Sequence, residues 1–516
     1  MKKIKLLKTL LIPTIGITAI GTIAAVSTSC SSAVPVTSYI CVTANANSTL
    51  ELKNVGGNNP NLQYSVDCKN WTTYSKILYI PENEKIYLIG DNANGWSLID
   101  QRYSYFSITG NVSLSGSVMG LLDNGTGTIS SIPNNYCFYA LFNDSTGITS
   151  VNEDFLPATT LANHCYYSMF KGCSSLTSAP KLPATHLADY CYSHMFYKCT
   201  SLATAPDLPA TILATYCYQF MFNGCSSLTT TPTLPATILA NACYYEMFTD
   251  CTSLTTVQAL QAEYLDEWCY SCMFKGCTSL TTAPALPATT LAESCYSSMF
   301  EDCTSLTTTP ELPATTLADY CYNNMFSRCT SLTTAPDLPA TTLVEACYAS
   351  MFVSCKSLVI APALPATKLA WGCYSGIFQD CTSLRTAPYL PATTLAKSCY
   401  HGMFIDCASL TTAPALPATT LADHCYCAMF SDCSSLAKAP DLPATILADY
   451  CYYSMFYRCS SLASIRIGYF LLKETAPSGA FNNWVNGVAP SGTFYYKGSD
   501  TLVNFGFPSG WTINPN

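Results

Sequence analysis

The chain has 516 residues, a formal charge of −9, only 11% charged residues against 49% hydrophobic ones, and 30 cysteines. That length suits about three ordinary domains or one elongated array, and an acidic chain without a basic stripe argues against nucleic acid as a partner. With so few charges, the surface must be covered largely by Thr, Ser, Asn and Tyr.

The N-terminus, MKKIKLLKTLLIPTIGITAIGTIAAVSTSCSS, carries Lys2, Lys3, Lys5 and Lys8, an apolar run to Val26, and small residues before Cys30. This is the order of a secretory signal peptide, expected over residues 1–29. Ser27-Thr28-Ser29-Cys30 resembles a bacterial lipobox, in which the chain is cut before the cysteine and its thiol is lipidated. The expectation is lipid on Cys30, a linker over 30–37, and display at the cell surface on the outer face of a bacterial membrane. An uncleaved N-terminal anchor is the alternative, and it too puts the remaining chain outside the cytoplasm. Taking the four lysines from 23 basic residues leaves 19 against 32 acidic ones, a formal charge of −13. No later segment reaches the roughly 18 to 20 consecutive apolar residues that span a bilayer.

From 38 to 131, short runs such as KILYIP, KIYLIGD, YFSITG and VSLSGSV alternate with Asn, Gly and Asp turns. They predict a small antiparallel β domain. Cys-Tyr then returns every 26 residues from Cys165 to Cys451, twelve times, and a second cysteine keeps the same step from Cys173 to Cys459. CFYALF, from Cys137, reads as a degenerate first unit. A fixed period in this range marks a solenoid, whose units bury their apolar faces only against each other. The array is expected over 132–464, with a C-terminal cap over 465–516.

One unit reads LPATTLADYCYNNMFSRCTSLTTAPD, Leu312 to Asp337. Leu317, Cys321, Met325 and Cys329 recur at i, i+4, i+8 and i+12, with Ala318, Tyr322 and Phe326 beside them. These rows predict a helix with one buried stripe. Asp319, Tyr320, Asn323, Asn324, Ser327 and Arg328 are left to face water, and Thr315 or Thr316 to cap the helix start. Ser331 to Ala335 predicts a strand of three or four residues that ends near Pro336. The fold class is thus an α/β solenoid, a leucine-rich-repeat-like array of helix-plus-short-strand units.

The stretch MFSRCTSLTTAPDLPATTL combines an aromatic residue, Cys-x-x-Leu and an apolar-Pro step. It resembles the leucine-rich repeat of the BspA-like bacterial surface proteins, over about Leu156 to Ser464. The resemblance implies a curved α/β solenoid on the cell surface, with adhesion or host-protein binding as its role. Residues 38–131 resemble the β module placed before such repeats.

Two cysteines eight apart on a helix stand about 12 Å apart, too far to chelate one zinc ion or to form a disulfide together. Their place on the apolar stripe predicts buried, mostly free thiols. Bridges between neighbouring units, such as Cys329 to Cys303 or Cys355, are the alternative. Cys272 and Cys427 create CYSC and CYC inside the repeat, where chance explains them better than redox chemistry. His164 and His424 occupy a slot that varies between units and read as surface residues. No catalytic residue, metal or cofactor is expected, because enzymes need unlike groups converging in a pocket, whereas this chain offers rows of like residues.

One unit departs from the frame: where others read TTAPxLPATTL, Thr255 to Leu265 loses both prolines and places Glu263 and Tyr264 at the two Thr positions of that frame. The candidate binding surface comprises Tyr190, Tyr216, Glu263, Tyr264, Trp268, Tyr320, Trp371 and Tyr450, since Tyr and Trp are enriched in binding hot spots. The expected role is a lipoprotein adhesin whose array binds a host or extracellular-matrix protein or a neighbouring cell surface. A structural or antigenically variable coat without a specific ligand is the alternative.

Overall fold

A computed structural model describes residues 38–468, 476–497 and 506–515; the expected signal peptide and Cys30 lie outside them. The first strands are β1 (Ile40–Ala44), β2 (Ser48–Asn54), β3 (Gln63–Ser65), β4 (Thr72–Thr73), β5 (Leu78–Ile80), β6 (Lys85–Ile89), β7 (Ser104–Thr109) and β8 (Val112–Gly116). Alternate residues of these strands point inward, as the period of two requires, so Val42, Leu50, Phe106 and Leu114 are buried between two sheets. One sheet runs β5-β2-β7. The other runs β4-β3-β6-β1-β8 and takes on β9 (Ile148–Val151), which pairs parallel with β8 and already belongs to the array. Phe106 N–H donates to the Leu141 carbonyl at 2.7 Å, and the Phe106 and Phe142 rings lie 5.6 Å apart. The β region therefore caps the first coil of the array, and one hydrophobic core runs through both.

The segment expected as a helix is not helical in any unit; each is a ribbon of consecutive turns. In the unit of Cys321, residues Tyr320, Asn324 and Arg328 have φ of 58°, 55° and 61°, and the same three positions are left-handed in the other units. A left-handed residue every fourth position folds the chain into turns of four residues. The amides then alternate in destination. Cys321, Asn323, Met325, Ser327 and Cys329 donate three residues back within their own coil, to Ala318, Tyr320, Tyr322, Asn324 and Phe326. Tyr320, Tyr322, Asn324, Phe326 and Arg328 donate instead to the carbonyls of Glu345, Cys347, Ala349, Met351 and Val353 in the next coil, at 2.7–3.0 Å. Half the amides of the segment thus bond along the solenoid axis, which an α-helix cannot do because its own ladder uses them.

This geometry corrects the packing as well. Helices would stack at about 8–10 Å, whereas the Tyr322 and Tyr348 rings lie 5.7 Å apart and the Phe326 and Phe352 rings 5.8 Å apart, near-parallel. The expected strand shrinks to a single bridge in most coils, such as Thr334↔Ile360 and Ile360↔Thr386. Thr316 caps no helix; it forms a second single bridge with Thr290. Ser327, expected at the surface, is 1% exposed, although larger residues at the same position, such as Lys275 and Val353, stay partly exposed. Most coils contribute Cys, Tyr, Met, Phe, Cys and Leu to the core, as Cys321, Tyr322, Met325, Phe326, Cys329 and Leu332 do, all at 0–1% exposure. Since each ring is held by the coils on both sides, Phe326→Ala is expected to cost about 3–5 kcal/mol. Urea denaturation would check this, and a loss below about 1 kcal/mol would show that the ring ladder does not couple the coils.

Irregular spacing at the ends is absorbed in the same bonding scheme. From the first coil, Phe138 donates to Cys165, 27 residues on, where interior coils reach 25. After the last Cys-Tyr unit, Tyr452, Ser454, Phe456 and Arg458 donate to Ala480, Asn482, Trp484 and Asn486. The stretch SGAFNNWVNG thus forms one more ribbon coil within the segment expected as cap. Its signal in the sequence is the four-residue step from Ala480 to Trp484 to Val488. Four parallel strands close this end: β10 (Lys438–Leu442), β11 (Ser464–Ile467), β12 (Ser491–Tyr496) and β13 (Gly510–Pro515).

Candidate interaction surface

Because the coils stack in register, any residue type repeated at one ribbon position becomes a continuous row. The left-handed position just before the first cysteine holds Tyr136, His164, Tyr190, Tyr216, Ala242, Trp268, Ser294 and Tyr320 in successive coils, and ends in His424 and Tyr450. Where neighbours are both aromatic their rings stack: Tyr136–His164 at 4.5 Å, His164–Tyr190 at 4.5 Å, Tyr190–Tyr216 at 4.7 Å, and His424–Tyr450 at 4.8 Å. A second file runs beside it, through Tyr139–Tyr167 at 5.0 Å, Tyr167–His194 at 5.1 Å, His194–Phe220 at 4.6 Å, Phe220–Tyr245 at 5.5 Å and Tyr245–Trp268 at 6.3 Å. Tyr103 of the β region joins this file through Tyr139, at 5.1 Å. The result is a half-buried aromatic band that starts on the β region and ends at Trp268.

The structure therefore places Tyr190, Tyr216, Trp268, Tyr320 and Tyr450 on a single ridge, the first three within the aromatic band. Trp371, 46% exposed, lies one position earlier in its coil, because Gly372 takes the left-handed site. Glu263 and Tyr264 sit off the ridge, on the second row of single bridges, where Tyr264 pairs with Ile238. His164 and His424 are half-buried in the stacks, not free on the surface. Burial, with a smaller push from Lys171, lowers His194 to about 4, so this ring is neutral. Sequence reasoning missed His194 and Phe220, because the row they share becomes visible only once the ribbon is known. It also passed over Ile212 and Ile238, whose signal was legible: PATIL where half the units read PATTL.

The two rows of single bridges expose paired threonines, such as Thr333-Thr334 and Thr341-Thr342, over most of the array. The odd unit keeps this path although it lacks the prolines. Gln258, standing where other units have proline, has an N–H that donates to Thr231 Oγ1 of the previous coil at 2.9 Å. Thr231, 4% exposed, replaces the alanine of most coils, so the two departures from the frame satisfy each other.

The described cysteines are free thiols, nearly all fully buried. Those of the second row donate to carbonyls of the coil before: Cys329 Sγ to Phe300 and Cys355 Sγ to Phe326, both at 3.1 Å. Cys303 likewise donates to Phe274 at 3.1 Å. Burial pushes Cys217, Cys225 and Cys355 up to about 12 and the half-exposed Cys272 up to about 11, leaving all of them as neutral thiols. Among the described residues no group of three or more His, Cys, Asp or Glu side chains is placed to hold a metal ion.

The BspA type leucine-rich repeat region model matches residues 135–273, 164–307, 248–385 and 373–486, which together span 135–486. The chain belongs to the BspA-type leucine-rich repeat family. In this BspA-type array the matched segment begins at the first ribbon coil and ends in the coil of Trp484, so the family frame coincides with the stack of turn ribbons. No curated protein matches the chain. A crystal structure of a TLR13–ssRNA13 complex aligns with 73% of this chain at 14% identity and a TM-score of 0.23; the alignment spans about half, 49%, of that chain.

Proposed function

We propose that this BspA-type protein is an exported surface lipoprotein, tethered through lipid on Cys30, whose array binds a protein of the host, of the extracellular matrix or of a neighbouring cell. The observation that carries the reading is the aromatic band from Tyr136 to Trp268 on a rigid stack of coils. Rings locked by their neighbours lose little entropy on contact, and Tyr and Trp supply large contact area. Membership of a surface-interaction family supports it, as does the arrangement of like residues in long rows rather than unlike residues around a pocket. The reading assigns no catalytic residue and no cofactor.

Its test is to replace Tyr190 and Tyr216 together by Ser, the residue found at the same ridge position in Ser294 and Ser398. Saturable binding of the chain to matrix proteins or host cells is expected to weaken by at least about tenfold, as hot-spot rings do. Binding that is saturable but indifferent to both substitutions would remove the ridge from the function, and no saturable binding at all would remove the adhesive role.

A further inference from the structure

Exposed apolar side chains are not spread evenly along the array. Ile212, Ile238 and Tyr264 occupy the second bridge row in three consecutive coils, at 54%, 64% and 65% exposure. Four residues beyond Tyr264, Trp268 is 41% exposed and marks the end of the aromatic band. In most other coils the bridge row is Thr-Thr. Contiguous exposed apolar residues are uncommon on a chain that has no use for them and mark contact sites.

The rim of this patch carries one sign of charge. Glu263, Asp266 and Glu267 lie in the same coil as Tyr264 and Trp268, and Trp268 N–H donates to the carbonyl of Glu293 in the next, at 3.0 Å. The position of Glu267 is then acidic in four successive coils: Glu267, Glu293, Asp319 and Glu345. Among the described residues none of these carboxylates has an ion pair, although Glu301 and Asp302 nearby are met by Lys275 and Arg328. The Tyr320 phenol is held up at about 12, first by its hydrogen bond to the Glu345 carboxylate, then by burial, and then by the charges of Glu345, Asp319 and Glu293.

We propose that the patch formed by Ile212, Ile238, Tyr264 and Trp268 docks a cationic segment of a partner protein, in which apolar side chains are interspersed with Lys or Arg. This rests on the adhesive reading above and specifies the chemistry of its partner. Apolar side chains of the segment cover the two isoleucines and Tyr264, and its cations reach the acidic file on one side. An Arg or Lys over the Trp268 ring adds a cation–π contact. A row of unpaired carboxylates also raises the rate of encounter with a basic partner and makes it dependent on salt.

The test uses the full chain and a labelled synthetic peptide in which Lys alternates with Leu, with one counterpart carrying Glu for Lys and another Ser for Leu. Saturable binding is expected for the Lys-Leu peptide alone, weakening steeply with added salt. Tyr264→Thr, which places there the residue that Thr290 supplies in the next coil and so leaves the fold intact, and Trp268→Ala are each expected to weaken it by about tenfold or more. Glu267→Gln with Glu293→Gln is expected to weaken it and flatten its salt dependence. Equal binding of the Glu-Leu peptide, or unchanged binding in the Tyr264→Thr chain, overturns the proposal. So does self-association of the free chain that the same substitutions abolish, which would give the patch to a second copy. If matrix binding depends on Tyr190 and Tyr216 while the Lys-Leu peptide fails to bind, this inference falls and the adhesive reading stands. Peptide binding at the patch without any matrix or cell binding has the opposite meaning.

Discussion

Raising the pH above about 8.5 is expected to unfold the array. Burial holds the thiols of the two cysteine rows above their ordinary value, with Cys217, Cys225 and Cys373 at about 12 and Cys321 and Cys329 raised as well. In the folded chain these groups stay neutral through mild alkali, while in the unfolded chain they release protons above about 8.5. The unfolded state therefore gains as pH rises: stability is full below that point and falls above it, by up to about 1.4 kcal/mol per pH unit for each thiol. A handful of thiols acting together exceeds the roughly 5–15 kcal/mol that holds a typical fold. Buried phenols such as Tyr322, also raised by burial, add to the slope above about 10. Urea midpoints measured from neutral pH upward, with thiols kept reduced, check this. A midpoint that does not move between neutral pH and about 9.5 would mean that the rows do not titrate on unfolding, as bridged cysteines would not.

A second pair of results separates the turn ribbon from a helix by sign. Ser350 has φ of 56°, and its N–H donates to the Ser375 carbonyl of the next coil at 2.8 Å. Glycine adopts this left-handed backbone without the cost of about 1–2 kcal/mol that other residues bear, though it loses part of that in unfolded-chain entropy. Ser350→Gly is thus expected to stabilise the chain by about 0.5–1 kcal/mol, where in a helix interior it would destabilise by a similar amount. Ser350→Pro is expected to cost at least about 3 kcal/mol, because proline fixes φ near −65° and has no N–H to give the next coil. Chemical denaturation of both variants beside the parent reads the two signs. A destabilising glycine would contradict the left-handed turn.

The expected helix and the observed ribbon differ in their period. Leu317, Cys321, Met325 and Cys329 step by four without drift. An α-helix turns about 100° per residue, so each such step rotates the stripe by about 40°, and Cys329 would point about 120° away from Leu317. A helix burying one face keeps it by mixing steps of three and four. The undrifting four was therefore legible as something other than a helix. It did not say that every fourth residue turns left-handed, because residues as different as Tyr320, Asn324 and Arg328 fill those places. None of these three is the glycine that announces it at Gly172, Gly224, Gly276, Gly372, Gly376 and Gly402 in other coils, and the coil-to-coil hydrogen bonds stabilise what each non-glycine residue alone disfavours.

The candidate surface divides along the same line. Exposure of Tyr190, Tyr216, Trp268 and Tyr320 at the ridge could be argued from their place between the buried rows, a matter of local sequence. The stacking of Tyr136, His164, Tyr190 and Tyr216, and of His424 on Tyr450, could not, because contacts at 4.5–4.8 Å require coils closer together than packed helices allow.

By itself, then, the chain determined its period of 26, its family, the burial of Cys, Tyr, Met and Phe in each unit, and the departure at Glu263 and Tyr264. These follow from composition repeated at fixed intervals, which any stacked architecture must respect. Only the tertiary structure decided that the units are turn ribbons, that their rings and thiols form rows at coil spacing, and that Ile212, Ile238, Tyr264 and Trp268 make one patch. The physical reason is that half of the ribbon's amides find their acceptors 25 residues away in the next coil, so the local conformation exists only in the stack.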